Sequence, residues 1–201
     1  MEPFSTDGPE PIAFHTRDRR PVTLRRVRPG DTALLVDLLG RLSARTWRLR
    51  YFTARPSASE AAWREAGRMA RGHAAGHLTL VALARPGGRD EAVAVAELVR
   101  DAATPAIGDL AVLVRDDYQA NGVGLALGRR LLDNARAAGV TTVRAELFAE
   151  NRGALRLLRR LGVAQAMTLD DGELSVLAEI PRERGEARGA TRGDMPRTDA
   201  A

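Results

Sequence analysis

One stretch limits the folds open to this chain more than any other: Leu110-Ala-Val-Leu-Val-Arg-Asp-Asp-Tyr-Gln-Ala-Asn-Gly-Val-Gly124. An apolar run ends at Val114, and a charged turn follows at Arg115, Asp116 and Asp117. Val123, Leu127, Leu131, Ala135 and Ala138 then recur at near-helical spacing until Gly139, which suits a helix C-terminus. Residues 110–114 are apolar on both faces, as in a strand buried at the centre of a sheet. Strand, glycine loop and helix together offer bare backbone N–H groups and a positive helix end to an anion.

The flanking sequence reads as alternating short elements. Pro21 to Pro29 predicts a first strand with Val22, Leu24 and Val27 inward. Asp31 is a suitable N-cap for a helix carrying Leu34, Leu35, Leu38, Leu39 and Leu42 on one face. A second helical piece spans Ser43 to Phe52. A third spans Ala58 to Arg71, capped by Ser57 or Ser59, with Trp63 and Met69 inward and Gly72 ending it. His77–Ala84 and Ala92–Val99 form a hairpin around Arg85-Pro-Gly-Gly-Arg-Asp90, and Ile107–Val114 is the next strand. After the glycine-loop helix come a strand at Thr141–Phe148 and a short helix capped by Asn151 and stopped by Gly162. A last hairpin turns at Asp170-Asp-Gly172. This order predicts one mixed α/β sheet with helices on both faces. The expected organisation is a disordered tail at 1–20, a single domain at 21–181, and a second disordered tail at 182–201 rich in Arg, Gly and Glu.

Composition narrows the partners. All 31 basic residues are arginine, the formal net charge is +5, and aromatics make up 4%. The arginines are scattered and stacking platforms are few, which argues against nucleic-acid binding. There is no cysteine, which excludes disulfides and a thiol nucleophile and fits a cytoplasmic location. No apolar run reaches the length of a membrane span, and no signal peptide is visible. His15, His73 and His77 are separated and suggest no metal site.

Gln119-Ala-Asn-Gly-Val-Gly124 resembles the Gln/Arg-x-x-Gly-x-Gly/Ala signature of the GNAT superfamily of N-acetyltransferases. Asn151-Arg-Gly-Ala-Leu-Arg-Leu-Leu-Arg-Arg-Leu-Gly162 is similar to that family's later Asn-x-x-Ala…Leu-Gly segment. Leu24-Arg-Arg-Val-Arg-Pro-Gly-Asp31 and Leu49-Arg-Tyr-Phe52 resemble bacterial Pat-type protein-lysine acetyltransferases. The resemblance implies a GNAT acyl-CoA N-acyltransferase fold, with a central, mostly antiparallel sheet, and acetyl-CoA as co-substrate without a metal. It places the pyrophosphate on Gln119, Ala120, Asn121, Gly122, Val123 and Gly124, the pantetheine arm along Val112, Leu113 and Val114, and the pantetheine amide on Asn151. A backbone N–H near Val112 would polarise the thioester carbonyl.

The resemblance implies acetyl transfer to an amine. A lysine amine has a pKa of about 10.4, so a base must take its proton at neutral pH. Asp109 stands where Pat-type enzymes carry a catalytic glutamate, one methylene shorter and so acting through a water. Glu97, a carboxylate in the apolar run Val93–Val99, is its rival, and Glu146 is a weaker third. The tyrosine of many family members is replaced by Leu158, so the thiolate leaves without a dedicated acid. A protein lysine is the first expected acceptor and a small amine or antibiotic the second, with attack in a ternary complex. A non-catalytic acyl-CoA-binding module is the competing class. Both a monomer and a homodimer are compatible with the sequence.

Overall fold

The computed structural model of the chain describes residues 11–56, 59–71, 76–163 and 166–181. Its strands are β1 (Ile12–His15), β2 (Pro21–Arg26), β3 (His77–Ala84), β4 (Glu91–Arg100), β5 (Ile107–Val114), β6 (Thr142–Phe148), β7 (Ala166–Asp170) and β8 (Glu173–Glu179). The helices are α1 (Thr32–Gly40), α2 (Ala44–Tyr51), α3 (Ser59–Ala70), α4 (Val123–Ala137) and α5 (Arg152–Leu161). The strands form one sheet in the order β1-β2-β3-β4-β5-β6-β8-β7. Every neighbouring pair is antiparallel except β5–β6.

The alternation of side chains along the strands divides the core in two. One layer packs Leu78, Leu80, Leu98, Leu110 and Val143 beneath α4 and α5, which bury Leu127, Leu131, Leu158 and Leu161. The other packs Val81, Val95 and Leu113 beneath Leu35, Leu38, Leu39, Trp47 and Met69 of α1–α3. Gly128 brings α4 against α5: a Cβ there would lie 2.8 Å from Leu161 Cδ1. The mixed sheet with helices on both faces agrees with the sequence reading, and Ile107–Val114 agrees to the residue.

Three expectations are corrected. Residues 11–20 are not a tail, because Ile12–His15 pairs with Pro21–Leu24 and extends the sheet. Residues 1–10 and 182–201 lie outside the described residues. Trp63 is 51% exposed, because the buried stripe of α3 runs through Ala66, Met69 and Ala70, with Ala62 beside it. Asp31 stands at the N-cap of α1 without capping it. Its carboxylate accepts from the Arg25 guanidinium at 2.6 and 2.8 Å and from the Arg28 N–H at 2.7 Å. Of the two expected caps of α3, Ser59 is instead the first residue of the helix, while Ser57 and Gly72 lie outside the described residues.

Candidate active site

Strands β5 and β6 pair over only three residues, Ile107–Thr142, Gly108–Val143 and Asp109–Arg144. Both then continue, β5 to Val114 and β6 to Phe148, without pairing to each other. The gap opens into a cleft of about 1130 Å³, lined by residues 109–114 on one wall and 144–147 on the other. The Arg115 N–H donates to Val93 O at 2.9 Å, which fixes the alternation of β5 against β4. The N–H groups of Val112 and Val114 therefore point the other way, toward the strand that has turned aside.

At the far end of β5 the chain turns through Asp116–Tyr118 and enters the loop. Arg115 latches this turn through Asp117 (2.7 Å) and Glu91 (2.9 Å), and holds the Asp117 carboxyl below the usual aspartate range. Gln119 is a brace: its own N–H donates to Asp116 O, and its side chain donates to Val114 O and Thr46 Oγ1, each at 3.1 Å. Its main-chain N–H is thus engaged, unlike the expectation that it faces a phosphate. Ala120 and Gly122 take left-handed backbone at φ 60 and φ 92. Gly122 caps α4 with no side-chain hydrogen bond, so the N–H groups of the first helical turn face the cleft end uncapped. Gly124 lets the helix close on the strand, since a Cβ there would meet Val114 Cγ2 at 3.2 Å.

The other end of the cleft is built from charged side chains. Glu97 pairs with Ala111 and Asp109 with Val99, so both carboxylates lie on the α1–α3 face as diagonal neighbours, with Cα atoms roughly 7–8 Å apart. The Asp109 side chain is 47% exposed, and Arg144 grips both its oxygens, at 2.6 and 3.0 Å. The Glu97 side chain is 5% exposed. Its Oε2 accepts from Arg50 at 2.9 Å and Arg68 at 3.0 Å, while Oε1 is buried with no hydrogen-bond partner. Glu97 thus meets two guanidiniums rather than the purely apolar surroundings expected of its strand. Arg68 also grips Glu65; burial works against ionising Glu65, and that contact outweighs it, holding the carboxyl low. Glu146 is exposed and accepts from Ser175 at 2.9 Å.

Asp116 fastens the turn after β5 to the start of α2, the helix that also carries Arg50. It accepts from the Ser43 N–H (3.0 Å), the Ser43 hydroxyl (2.7 Å) and the Thr46 hydroxyl (2.7 Å) at the start of α2. Burial opposes ionisation of this carboxyl, but those bonds overcome it and hold it below the ordinary aspartate value. Asn151 lines the cleft and caps α5 by accepting from the Ala154 N–H at 3.1 Å. Leu158 is buried, filling the position of the absent tyrosine with core.

The cleft therefore gathers Asp109, Glu97, Val112, Leu113, Val114, Gln119, Ala120, Gly122, Gly124 and Asn151 along its walls. Asn121 and Val123 adjoin it in the chain; Val123 is buried under the sheet. Sequence reasoning missed Arg144, the partner of Asp109, and the turn at Thr16–Arg20, which packs on the glycine loop. The alternation of Ile12 and Phe14 before a polar turn, mirrored by Val22 and Leu24, was the available signal for that hairpin.

A sheet parted at one parallel pair, with free main-chain donors on one wall and an uncapped helix start, defines an acyl-CoA-dependent acyltransferase fold. The sequence matches the Acetyltransferase (GNAT) domain over residues 22–164. The chain belongs to the GNAT family and is an N-acetyltransferase of that family. The structure is similar to the GNAT domain of S. lividans PAT, with a TM-score of 0.71 and 24% identity over 84% of this chain and 96% of that one. It is also similar to a cAMP-binding acyltransferase from Mycobacterium smegmatis, at TM-score 0.57 and 24% identity, over 86% of this chain and 48% of that protein. Ribosomal-protein-S5-alanine acetyltransferase from Vibrio fischeri gives TM-score 0.62 at 14% identity, over 84% of this chain and 95% of that one. These likenesses are of fold. No curated protein matches the sequence. Among the described residues no helix is long and apolar enough to cross a membrane.

Proposed function

We propose that this domain transfers the acetyl group of acetyl-CoA to the side-chain amine of a protein lysine, by direct attack in a ternary complex. The observation that carries the reading is the parting of β5 from β6 immediately after the Asp109–Arg144 pair. It leaves main-chain donors for the cofactor on one wall and two carboxylates at the opposite end.

In this reading the uncapped start of α4 and the left-handed loop hold the pyrophosphate, and the pantetheine arm runs along Val112–Val114. The inward-turned N–H of Val112 polarises the thioester carbonyl, and Asn151 bonds a pantetheine amide with its unused amide nitrogen. The incoming ammonium must lose a proton. Asp109 at the open rim is the base, through a water, because its carboxylate is short and already gripped by Arg144. Glu97 contributes its unclaimed Oε1 deeper in the cleft, as an acceptor for the ammonium. The neutral nitrogen attacks the carbonyl carbon, its surplus proton passes to water as the C–S bond breaks, and the sulfur leaves as thiolate, with no side-chain acid needed. A base exposed at the rim suits an amine presented on another protein, and the likeness to the S. lividans PAT domain supports the same acceptor class.

Incubation with acetyl-CoA, lysine-bearing proteins and a panel of small amines, followed by free-thiol release, tests the proposal. Turnover with proteins supports it, whereas turnover with small amines alone moves the acceptor to that class. Binding of acetyl-CoA without turnover, even at alkaline pH where the amine is more often neutral, overturns catalysis by this cleft.

A further inference from the structure

The loop of residues 119–124 carries no basic side chain, and none occurs between Arg115 and Arg129. A pyrophosphate held there would meet main-chain N–H groups but no full positive charge from the loop. The turn between β1 and β2 changes this. Its Arg17 N–H donates to Asn121 O at 3.1 Å, and Asp18 accepts from the Asn121 side chain at 3.2 Å. Arg20 donates to Asp117 O at 2.7 Å and lies 3.7 Å above the Tyr118 ring. The turn thus grips the loop at Asn121 and the segment leading into it at Asp117 and Tyr118.

Three guanidiniums meet at this contact, and two are committed elsewhere. Arg20 is paired with Asp18 at 2.7 Å. Arg115 is paired with Asp117 and Glu91. Arg17 has no ion pair among the described residues. Its side chain makes one long bond, from Nη1 to Ala120 O at 3.3 Å, and it lines the cleft. An exposed guanidinium with most of its donors unused, seated on an anion-binding loop, is matched to phosphate oxygens.

We propose that the β1–β2 turn is part of the cofactor site and that Arg17 supplies the cationic contact to the pyrophosphate of coenzyme A. This rests on the reading of the loop given under the proposed function. Arg152, Arg156 and Arg160, spaced at one face of α5, also line the cleft and are the natural rivals for a phosphate. The 3′-phosphate of coenzyme A is a second group that Arg17 could meet instead, and the ligands below separate the two.

The test is calorimetric binding of coenzyme A, dephospho-coenzyme A and pantetheine to the full chain and to Arg17→Gln and Arg17→Lys. Arg17→Gln weakens coenzyme A and dephospho-coenzyme A by the same factor, about tenfold, as expected for one charge-assisted hydrogen bond. It leaves pantetheine unchanged, and Arg17→Lys recovers part of the loss. Unchanged affinity for coenzyme A overturns the proposal, as does a loss confined to the 3′-phosphorylated ligand. An equal loss for pantetheine, or a lysine variant as weak as the glutamine variant, overturns it in favour of a purely structural bond to Ala120 O. Failure of the unaltered chain to bind coenzyme A at all would sink the loop reading itself, a distinct result.

Discussion

At the α4 end of the cleft the proposed chemistry lies mainly in the main chain: left-handed backbone at Ala120 and Gly122, an uncapped helix start, and the free N–H edge of β5. Around Asp109 and Glu97 it lies in side chains, each already engaged by an arginine. A main-chain site needs only residues that permit its geometry, so the side chains at positions 120 and 121 can vary without altering its donors. A side-chain site depends on the reach and partners of every group. Changes at the two ends should therefore separate, one altering cofactor affinity and the other turnover.

The largest separation is expected from Asp109→Asn. Loss of a positioned base typically costs 10²–10⁴ in rate, so kcat near neutral pH should fall at least ~100-fold. Coenzyme A affinity should stay within about twofold, because Asp109 lies five residues before the end of β5, roughly 17 Å from it along the strand. Rates from thiol release and affinities from calorimetry check both halves. An equal loss in both would show the two ends to be one coupled unit.

Gly122→Val attacks the opposite end. A Cβ at Gly122 would meet nothing within 4 Å, so the constraint is conformational rather than steric crowding. A β-branched residue at φ 92 costs about 1–3 kcal/mol, which the loop relieves by moving its N–H groups off target. Coenzyme A affinity should drop about tenfold, with the residual rate at saturating cofactor less affected. Unchanged affinity would mean that the left-handed turn is not what presents the donors.

How far the sequence foretold each end follows from the same contrast. The run 107–114 and the helix after it were legible because local pattern and burial agree: Leu110, Leu113, Leu127 and Leu131 are all core. The glycine loop was legible because it is local. Arg144 was not, since it reaches Asp109 across a strand pairing 35 residues away, and no periodicity marks a long-range ion pair. Residues 12–15 escaped because a four-residue strand owes its existence to β2 and to the contact of its turn with Asn121. Trp63 misses burial by one helical position, because the apolar stripe of α3 runs through Ala62, Ala66 and Met69.

Asp116 ties the turn after β5 to the start of α2, and acid should loosen that tie. Its folded carboxyl titrates below the unfolded value of about 3.9, so the unfolded chain binds more protons as pH falls. The stabilisation is present above roughly pH 4–5 and is lost as pH drops through the lower folded value. Asp116→Asn should cost about 1 kcal/mol at neutral pH, after allowing for solvent exposure of the contact, or about 2–4 °C in Tm. The two Tm curves should converge in acid. A constant gap down to the lowest pH would place the effect in packing rather than in the charge.

Ala120→Gly should give the smallest change, and it asks whether the loop's side chains matter at all. Alanine at φ 60 carries a left-handed penalty of about 1 kcal/mol that glycine removes, while glycine adds a comparable entropy to the unfolded chain. The two nearly cancel, so stability should move by less than about 0.5 kcal/mol. The donors keep their positions because Gln119 is braced on Val114 O and Thr46, and Asn121 O is held by the Arg17 N–H. Coenzyme A affinity should then change by less than about twofold. A larger loss would mean that the loop is preorganised by the alanine itself, and that the cofactor end depends on side-chain identity as the acceptor end does.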